Sequence, residues 1–342
     1  MPASTFRHCA VASGLVTQDD LVRAEVSLRA VLPSGHAIDD EQLSIQLIAM
    51  GRLNTWQAVQ LRAGRSTFTL GPYRIVDSLG KGRTGDVYMA EHQVMGRIVA
   101  IKVLPKRHSS PEAVSKFTAE IRTQAQLDHK NLVRAFDAGH HRNVHFLVME
   151  YVPGTNLRRL VRRRGKLSMD EAISLISQAA EGLAYAHRQG LTHRDVKPSN
   201  VLVTPEGQTK LSDLGLAGFF ADTRSVDKES RSVARTADYL APELITRPGS
   251  YSPATDIYAL GCTLYYAVTA RVPFPGHKLD DKIEGHLNSL PRHPCLLNPV
   301  LNDAFVELIA DMMVKEPRNR LESAEEVTRR LKEISPCYKT ES

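Results

Sequence analysis

The segment THRDVKPSN, residues 192–200, places several side chains that can move protons or bind phosphates close together. Asp195 can accept a proton, Lys197 can neutralise an anion, and Asn200 offers an amide oxygen to a cation. Pro198 excludes a regular helix interior, so we expect a loop in front of the apolar run VLV. Because plain connectors rarely carry so many functional groups, the pattern indicates a catalytic segment.

A second carboxylate, Asp213, lies between leucines in KLSDLGLAGFF, residues 210–220. Apolar surroundings disfavour an ionised carboxylate unless another group pairs with it. The residues themselves leave two interpretations open. Asp213 either belongs to a turn at the end of a strand or is a ligand for a metal ion.

The glycines of LGKGRTGDVYMA are spaced as G-x-G-x-x-G, with Gly80, Lys81, Gly82 and Gly85 in the turn. Such spacing alone is also found in ordinary hairpin turns. A dinucleotide site would require a helix after the glycines, whereas DVYMAEH is typical of a strand. The pattern favours a glycine-rich hairpin whose backbone N–H groups can cover phosphates.

Lys102 ends the apolar run VAIK, where a lysine is costly unless a partner neutralises it. Glu120, in the helical pattern KFTAEIRTQAQL, is a candidate partner. Such a pair would direct the ammonium group toward phosphate oxygens. Taken alone, Glu120 could equally be a surface residue of its helix.

The elements around these residues change character along the chain. Residues 11–64 are typical of three short helices, with Thr17 and Asp20 arranged as a capping box and Gly51 as a helix stop. From Tyr73 the pattern predicts three strands, a helix and two more strands. After residue 155 it is mostly helical. We therefore expect a hinge near residues 150–154, and ligand sites often form at such junctions.

The composition is that of an ordinary globular protein: 342 residues, 24% charged and 42% hydrophobic. The net charge of +6 is compatible with acidic ligands or phosphates, and we expect no nucleic-acid partner. The four cysteines lack metal-ligand spacing and are expected to be reduced thiols.

The sequence gives only weak indications of a membrane segment or of a charged docking surface. The most apolar run, residues 257–268, is too short to span a bilayer and is expected to be a buried helix. The N-terminus lacks the continuous apolar core of a signal peptide, so a cytoplasmic location is expected. The densest basic run, RRLVRRRGK at residues 158–166, is either a solvated helix face or a docking patch for an acidic partner.

Taken in order, the glycine loop, VAIK, the helix glutamate, HRDVKPSN, DLG and APE resemble the motifs of the eukaryotic-type (Hanks-type) protein Ser/Thr kinases, most of all the bacterial members. The resemblance covers residues 73–335. It implies an α+β, bilobal protein-kinase-like fold with a β-rich N-lobe (73–152) and a helical C-lobe (153–335). A small helical segment with its connector (1–72) would precede the kinase domain, and a short tail (336–342) would follow it.

The resemblance also implies ATP and Mg²⁺ as cofactors and protein substrates as partners. Asp195 would orient the substrate hydroxyl and accept its proton, and Lys197 would neutralise the γ-phosphate. Asn200 and Asp213 would hold Mg²⁺. Lys102, supported by Glu120, would hold the α- and β-phosphates.

The nucleotide base would lie in a pocket formed by apolar residues and hinge backbone. The residues implied are Val87 and Ala100 above the adenine, Leu202 below it, Met149 as the gatekeeper, and the backbone of Glu150 and Val152.

The same resemblance assigns further roles. Lys197 and Thr236, with the segment ADYLAPE, are typical of Ser/Thr rather than tyrosine or small-molecule kinases. Glu243 and Arg320 would form a buried ion pair, and Asp256 would anchor the catalytic loop.

Three positions depart from the family pattern: Leu214 replaces the phenylalanine of D-F-G, Arg235 replaces a glycine, and Gln124 replaces an apolar residue. None of them removes a reacting group. Gln124 is expected to weaken the packing that holds its helix inward.

Arg194 would pair with a phosphorylated residue of the activation segment. The candidate residues for this autophosphorylation are Thr223, Ser225, Ser230 and Ser232. The alternative is that they are plain loop hydroxyls.

Two questions stay open at the level of sequence. A pseudokinase that only binds nucleotide is disfavoured because Lys102, Asp195 and Asp213 are all present. Residues 1–72, which carry the single tryptophan Trp56, are either a cap on the kinase domain or a module that binds a partner or a second copy of the chain.

Overall fold

The computed structural model describes residues 5–33, 35–81, 85–104, 111–215 and 237–335. The chain divides into two compact units. The first comprises Met1–Leu104 and Gly139–Tyr151, and the second comprises Pro105–Ala138 and Val152–Ser342. The division after Tyr151 falls within the stretch where a hinge was expected. Each unit is described separately below.

The first unit begins with helices that share a common start signal. These are α1 (Thr5–Ala12), α2 (Gln18–Arg29), α3 (Asp40–Ala49) and α4 (Thr55–Arg62). The side chains of Thr17, Asp39 and Asn54 precede three of these helices, and each accepts a backbone N–H of the first turn. The capping box predicted for Thr17 and Asp20 is confirmed. The helix α1 was not predicted from the sequence, and most of it precedes residue 11, where the predicted helical region begins.

The four helices enclose a small core of their own. Phe6, Leu43, Leu47 and Leu61 have at most 1% of their surface exposed. At the edge of this core, Trp56 contacts Phe68 and Tyr88 with ring centroids 5.8 and 5.9 Å apart.

A hydrogen bond also joins the helices to the sheet of this unit. The side-chain amide of Asn54 donates to the carbonyl oxygen of Val76 at 2.8 Å. The helical segment thus packs onto the sheet through Trp56 and Asn54, and the two belong to the same compact unit.

Most of the strands form one antiparallel sheet with the order β1-β2-β3-β4-β6-β5. Its strands are β1 (Thr69–Leu70), β2 (Tyr73–Gly80), β3 (Asp86–His92), β4 (Ile98–Val103), β5 (Ala135–His141) and β6 (Val144–Glu150). In β4, Lys102 lies opposite Val87 of β3 and Leu147 of β6, and Ala100 lies opposite Met149. The register therefore places several of the predicted nucleotide-binding residues on neighbouring strands.

The second unit is mainly helical, as the sequence predicts. Its helices are α5 (Pro111–Gln124), α6 (Leu157–Arg164), α7 (Met169–Arg188), α8 (Pro242–Thr246), α9 (Pro253–Thr269), α10 (Leu279–Asn288), α11 (Asp303–Met312) and α12 (Ala324–Ile334). Two short 3₁₀ turns, Pro294–Leu296 and Pro317–Asn319, interrupt the connections between the last three. A small sheet of β7 (Thr155–Asn156), β8 (Val201–Val203) and β9 (Thr209–Leu211) completes the unit.

The apolar run at residues 257–268 lies within α9, and every residue of that helix from Thr255 to Thr269 is buried. The prediction of a buried core helix is confirmed, because α9 packs against α7 and α11 in the main hydrophobic core. Across the described ranges, no helix is both long and apolar enough to cross a membrane. Cys9, Cys262 and Cys295 are free cysteines, and Cys337 lies outside the described residues.

Candidate active site

The predicted catalytic loop connects α7 to β8 and is held by its own side chains. Lys197 Nζ lies 2.5 Å from Asp195 Oδ2. The amide nitrogen of Asn200 donates to the backbone oxygen of Asp195 at 2.8 Å and to its Oδ2 at 3.1 Å. An ammonium group and an amide thus both hold one carboxylate oxygen of Asp195, Oδ2.

Asp256, near the start of α9, anchors the backbone of this loop through its carboxylate. It is 1% exposed, and its carboxylate accepts the backbone N–H groups of His193 at 2.7 Å and Arg194 at 2.9 Å. Its Oδ2 also lies 2.8 Å from His187 Nε2. The anchoring role expected for Asp256 is confirmed. These bonds hold Arg194 at a φ of 68°, a left-handed conformation that is strained for a residue with a side chain.

His193 supports the loop as a neutral ring. Its side chain is fully buried, and burial lowers its pKa below the ordinary value of about 6.5. Nδ1 accepts the backbone N–H of Asp195 at 3.3 Å, so Nε2 carries the proton. Within the described part of the chain, Nε2 has no hydrogen-bond partner.

Asp213 follows β9 directly and is brought next to the catalytic loop by backbone hydrogen bonds. The N–H of Ser212 donates to the carbonyl oxygen of Asn200 at 2.9 Å, and that of Gly215 donates to His193 at 3.1 Å. Asp213 itself adopts a φ of 66°. The turn brings the two residues implied as Mg²⁺ ligands, Asn200 and Asp213, onto adjacent backbone segments.

Leu214 belongs to the main hydrophobic core and is 7% exposed. A leucine therefore occupies a buried apolar position after Asp213. Gln124, the other described departure from the family pattern, ends α5 with its amide nitrogen buried and without a partner among the described residues. An unsatisfied buried amide costs about 1–3 kcal/mol, so this end of α5 is held weakly.

In the first unit, the residues implied in nucleotide binding lie along the sheet. Lys102, 2% exposed, lies opposite Val87, while Ala100 and Met149 are buried opposite each other. Glu150 ends β6 opposite Val99. The structure thus gathers Val87, Ala100, Lys102 and Met149 on three adjacent strands.

The glycine loop is described only at its edges. Gly80 and Lys81 precede the undescribed residues 82–84, which include Gly82, and Gly85 follows them. Gly85 adopts a φ of 124°, which favours glycine at this position.

The remaining predicted residues lie in the second unit. Leu202 is in the middle of β8, opposite Asn156 and Lys210, and Val152 is the first residue of this unit's second stretch. Glu120 lies in α5, and its side chain is outside the described parts of the structure. Residues 216–236 also lie outside them, including Arg235, Thr236 and the four candidate phosphorylation residues.

The expected ion pair between Glu243 and Arg320 is confirmed. The two guanidinium nitrogens lie 2.8 and 3.1 Å from the two carboxylate oxygens. The side chains are 5% and 0% exposed, and Arg320 also donates to the carbonyl oxygens of Val314 and Ala254. The pair links α8, which contains the glutamate of APE, to the segment before α12.

Two supports of the loop were not foreseen from the sequence. His187, on α7, shares Asp256 with the catalytic loop, and a histidine in an otherwise apolar helical stretch was the available signal. Asn131 donates to the carbonyl oxygen of Thr209 at 2.8 Å and thereby holds β9. Nothing in the sequence around Asn131 distinguishes it from a loop residue.

The fold and the loop geometry together define a class of protein. Residues 73–330 match the family model described as the protein kinase domain, and the chain belongs to this family.

Its curated relatives include bacterial enzymes with Ser/Thr kinase names. The chain is 33% identical over 258 residues to the serine/threonine-protein kinase PrkC of Bacillus subtilis, a match covering 75% of this chain and 39% of that protein. It is 37% identical over 263 residues to the serine/threonine-protein kinase PknA of Mycobacterium tuberculosis, covering 74% and 59%. A probable serine/threonine-protein kinase of Clostridium perfringens is 34% identical over 268 residues, covering 77% and 38%. The chain thus matches about two fifths to three fifths of the length of these relatives.

Proposed function

We propose that this chain is a protein serine/threonine kinase that transfers the γ-phosphate of ATP to Ser or Thr hydroxyls of protein substrates. The observation that carries the proposal is the arrangement of Asp195, with Lys197 at 2.5 Å and Asn200 at 3.1 Å from its carboxylate. Membership of the protein kinase domain family and the names of the relatives support it.

Asp195 performs the positioning step. Its carboxylate is 10% exposed and is held on one oxygen, Oδ2, by Lys197 and Asn200. In phosphoryl transfer the transition state is loose, so orientation of the attacking hydroxyl contributes more than base strength. Asp195 accepts a hydrogen bond from the substrate hydroxyl and takes its proton as the phosphoryl group moves. Lys197, already beside this carboxylate, neutralises charge that develops on the transferred group.

Asn200 and Asp213 fit a magnesium site. The amide nitrogen of Asn200 donates to Asp195, which leaves Oδ1 as its free acceptor. Among the described residues, Oδ1 accepts a hydrogen bond only from the Ser199 hydroxyl, at 3.3 Å. Mg²⁺ prefers such hard oxygen ligands together with phosphate oxygens and water. Bound Mg²⁺ would neutralise negative charge on the phosphates of ATP.

Most of the residues proposed to bind the nucleotide belong to the first unit. Lys102, supported by Glu120, holds the α- and β-phosphates, and the loop of Gly80, Lys81, Gly82 and Gly85 covers them. Val87, Ala100 and Leu202 contact adenine, Met149 is the gatekeeper, and the backbone of Glu150 and Val152 supplies hydrogen bonds. The burial of Lys102 in an apolar strand supports its role, because an ammonium group there requires anionic partners.

Autophosphorylation is a further part of the proposal. The guanidinium group of Arg194 lies 5.4 Å from the centre of the Tyr251 ring, and its Nε donates to the Thr192 hydroxyl at 3.3 Å. An arginine next to the catalytic aspartate can pair with a phosphate introduced at Thr223, Ser225, Ser230 or Ser232. We also propose a cytoplasmic location, and a role for residues 1–72 in binding a partner or a second copy of the chain.

The test is a transfer assay with labelled ATP, Mg²⁺ and a generic protein substrate. Wild type is expected to label the substrate, and Asp195→Asn is expected to lower the rate by about 10²–10⁴-fold. Asp311→Asn, which changes a carboxylate of α11 that is 47% exposed, serves as the matched control and should label like wild type. Equal labelling by wild type and Asp195→Asn would contradict the mechanism.

A further inference from the structure

The basic run at residues 158–166 lies mostly in α6, and the helix forms because one of its faces is apolar. Asn156 caps its first turn by accepting the backbone N–H of Arg159 at 2.9 Å. Leu157, Leu160 and Val161 are buried in the main hydrophobic core. The arginines therefore occupy the opposite, outward face, and the apolar contacts keep them there despite their mutual repulsion.

The basic residues at the end of the run are already engaged. Arg164 lies 2.6 Å from Glu171, and Lys166 Nζ donates to the carbonyl oxygen of Leu297 at 3.1 Å. The other four arginines form a different group, which we call the α6 arginine face: Arg158, Arg159, Arg162 and Arg163. Within the described ranges, the structure gives none of their guanidinium groups an ion pair or a hydrogen bond.

The α6 arginine face consists of two pairs with i, i+4 spacing, Arg158 with Arg162 and Arg159 with Arg163. Residues at this spacing are neighbours on a helix, and like charges there repel. Arg159, Arg162 and Arg163 are exposed. An anion that bridges such a pair would relieve the repulsion and could accept bidentate hydrogen bonds from a guanidinium group.

The position of α6 connects this face to the catalytic loop. The backbone N–H of Arg158 donates to the carbonyl oxygen of Pro198 at 3.0 Å, and Pro198 is part of the loop that contains Asp195. Strand β7, which leads into α6, pairs with β8, which leaves the loop. These contacts lie within the second unit, so α6 is fixed directly beside the loop.

The catalytic loop in turn borders the segment before APE. Tyr239 lines one small pocket together with Arg194, Asp195 and Val196 of the loop. Tyr239 precedes Pro242 and Glu243, which begin α8. The α6 arginine face therefore adjoins the loop that contains Asp195, and this loop borders the segment that leads into α8.

We propose that the α6 arginine face binds Asp and Glu side chains that flank the phosphorylated residue of a protein substrate, so that this chain prefers acidic substrate segments. The inference rests on the proposed kinase function and names the substrate class of that site. A protein partner is favoured over a nucleic acid because the exposed side of α6 presents arginines without aromatic residues on which bases could stack.

The experiment uses the full 342-residue chain and two peptides that share one phosphoacceptor serine. One peptide carries Asp and Glu on both sides of the serine, and the other carries Asn and Gln at the same positions. Binding is measured by fluorescence anisotropy, and kcat/KM is measured with Mg-ATP. We expect wild type to favour the acidic peptide by about tenfold in both measurements, as for two exposed ion pairs.

The test variant is Arg162→Gln/Arg163→Gln, because both side chains are exposed and glutamine is a good helix former. It should lose the preference for the acidic peptide and retain the wild-type kcat/KM for the neutral one. The control is Arg292→Gln/Arg318→Gln, which removes two exposed arginines outside α6 that have no ion pair among the described residues. The control should keep the preference.

The outcomes separate the two proposals. An acidic preference that survives in Arg162→Gln/Arg163→Gln overturns the α6 inference, as does tighter, α6-dependent binding of a single-stranded RNA oligomer of equal charge. If wild type binds the acidic peptide through α6 but phosphorylates neither peptide, the kinase proposal fails and the binding inference stands. A preference that falls as KCl is raised from 50 to 500 mM supports an electrostatic origin.

Discussion

Two regions of the second unit hold a cation beside a carboxylate, and the two ion pairs differ in how far they are buried. In the catalytic loop, the side chains of Lys197 and Asp195 are 21% and 10% exposed. In the second region, which we call the ion-pair core, Arg320 and Glu243 are 0% and 5% exposed. The ion-pair core consists of Glu243, Tyr258, His286 and Arg320. Its aromatic members are linked, since Tyr258 Oη lies 2.9 Å from His286 Nδ1 and Arg320 lies over the Tyr258 ring.

The difference lies in how many partners each cation has. Arg320 donates to both oxygens of Glu243 and to the backbone oxygens of Ala254, Val314 and Lys315. Among the residues that the structure describes, the ammonium group of Lys197 has one protein partner, Asp195, and it is reached by solvent. The ion-pair core is therefore suited to hold one arrangement, whereas in the proposed function the loop pair exchanges partners when a phosphate binds. The following predictions test this contrast.

Removing the carboxylate of the ion-pair core should have the largest effect. Glu243→Gln keeps the shape of the side chain but leaves the buried charge of Arg320 without its counter-charge. Breaking one side of a buried pair costs about 3–5 kcal/mol. Urea unfolding monitored by circular dichroism should show a loss of this size in the free energy of unfolding. A loss below 1 kcal/mol would mean that the neighbouring carbonyl oxygens suffice for Arg320.

Removing the cation of the loop pair should instead affect catalysis. If Lys197 has the role proposed above, Lys197→Ala should lower kcat by about 10²–10³-fold, because no group would then neutralise the charge that develops on the transferred phosphoryl group. The free energy of unfolding should stay within about 0.5 kcal/mol of wild type, as is usual at a partly exposed position. Unfolding curves and transfer rates on the same preparation provide the check. A large loss of stability would erase the contrast between the two regions.

The ion-pair core should also respond to pH. Burial, with a smaller contribution from Lys315, lowers the pKa of His286 to about 3 from the ordinary value of 6.5. Between these values the unfolded chain binds a proton that the folded chain does not. The stabilisation is therefore complete above pH 6.5 and is lost as the pH falls, by up to about 1.4 kcal/mol per unit.

His286→Gln isolates this contribution, because glutamine can still hydrogen-bond to Tyr258 while it does not titrate. Its unfolding free energy should fall less steeply between pH 6.5 and 4.5 than that of wild type. His193, whose pKa burial also lowers, is unchanged in the variant and cancels in the difference. His277→Gln, at an exposed position, should retain the wild-type slope. Identical slopes for wild type and His286→Gln would contradict the prediction.

Breaking an exposed ion pair should have the smallest effect on the free energy of unfolding. It provides the value with which the effects at the buried pair are compared. In α12, Arg329 pairs with Glu333 at i, i+4, and their side chains are 56% and 59% exposed. Glu333→Gln should lower the free energy of unfolding by about 0.3–0.5 kcal/mol. The loss should shrink further in 0.5 M salt, where exposed charges are screened. A cost similar to that of Glu243→Gln would show that burial does not explain the stability of the ion-pair core.

Much of the fold could be predicted from local patterns. Strands β2, β3 and β4 and the buried helix α9 lie where apolar periodicity placed them. Thr17 caps α2 because a hydroxyl followed three residues later by an acidic group satisfies free N–H groups locally. The two-residue strands β1 and β7 were not predicted, since so short a pairing leaves no periodic signal.

The candidate site was predicted by motif rather than by geometry. The motifs identified Asp195, Lys197, Asn200 and Asp213 by residue type and order. They did not indicate that Lys197 would lie against Asp195 or that His187 would share Asp256 with the loop. The nearest signal for His187 was its position in an apolar helix, which is also typical of a core histidine.

The sequence by itself determined the family, the order of the elements and the identity of the residues available for chemistry, because these depend on residue type and short-range spacing. Only the tertiary structure decided which distant groups meet. His187 and Asp256 are 69 residues apart and Glu243 and Arg320 are 77 apart, and no local propensity encodes either pairing. The physical reason is burial. Once α9 is enclosed by the core, each charged or polar group beside it must find a partner there, and the packing of the helices selects which one.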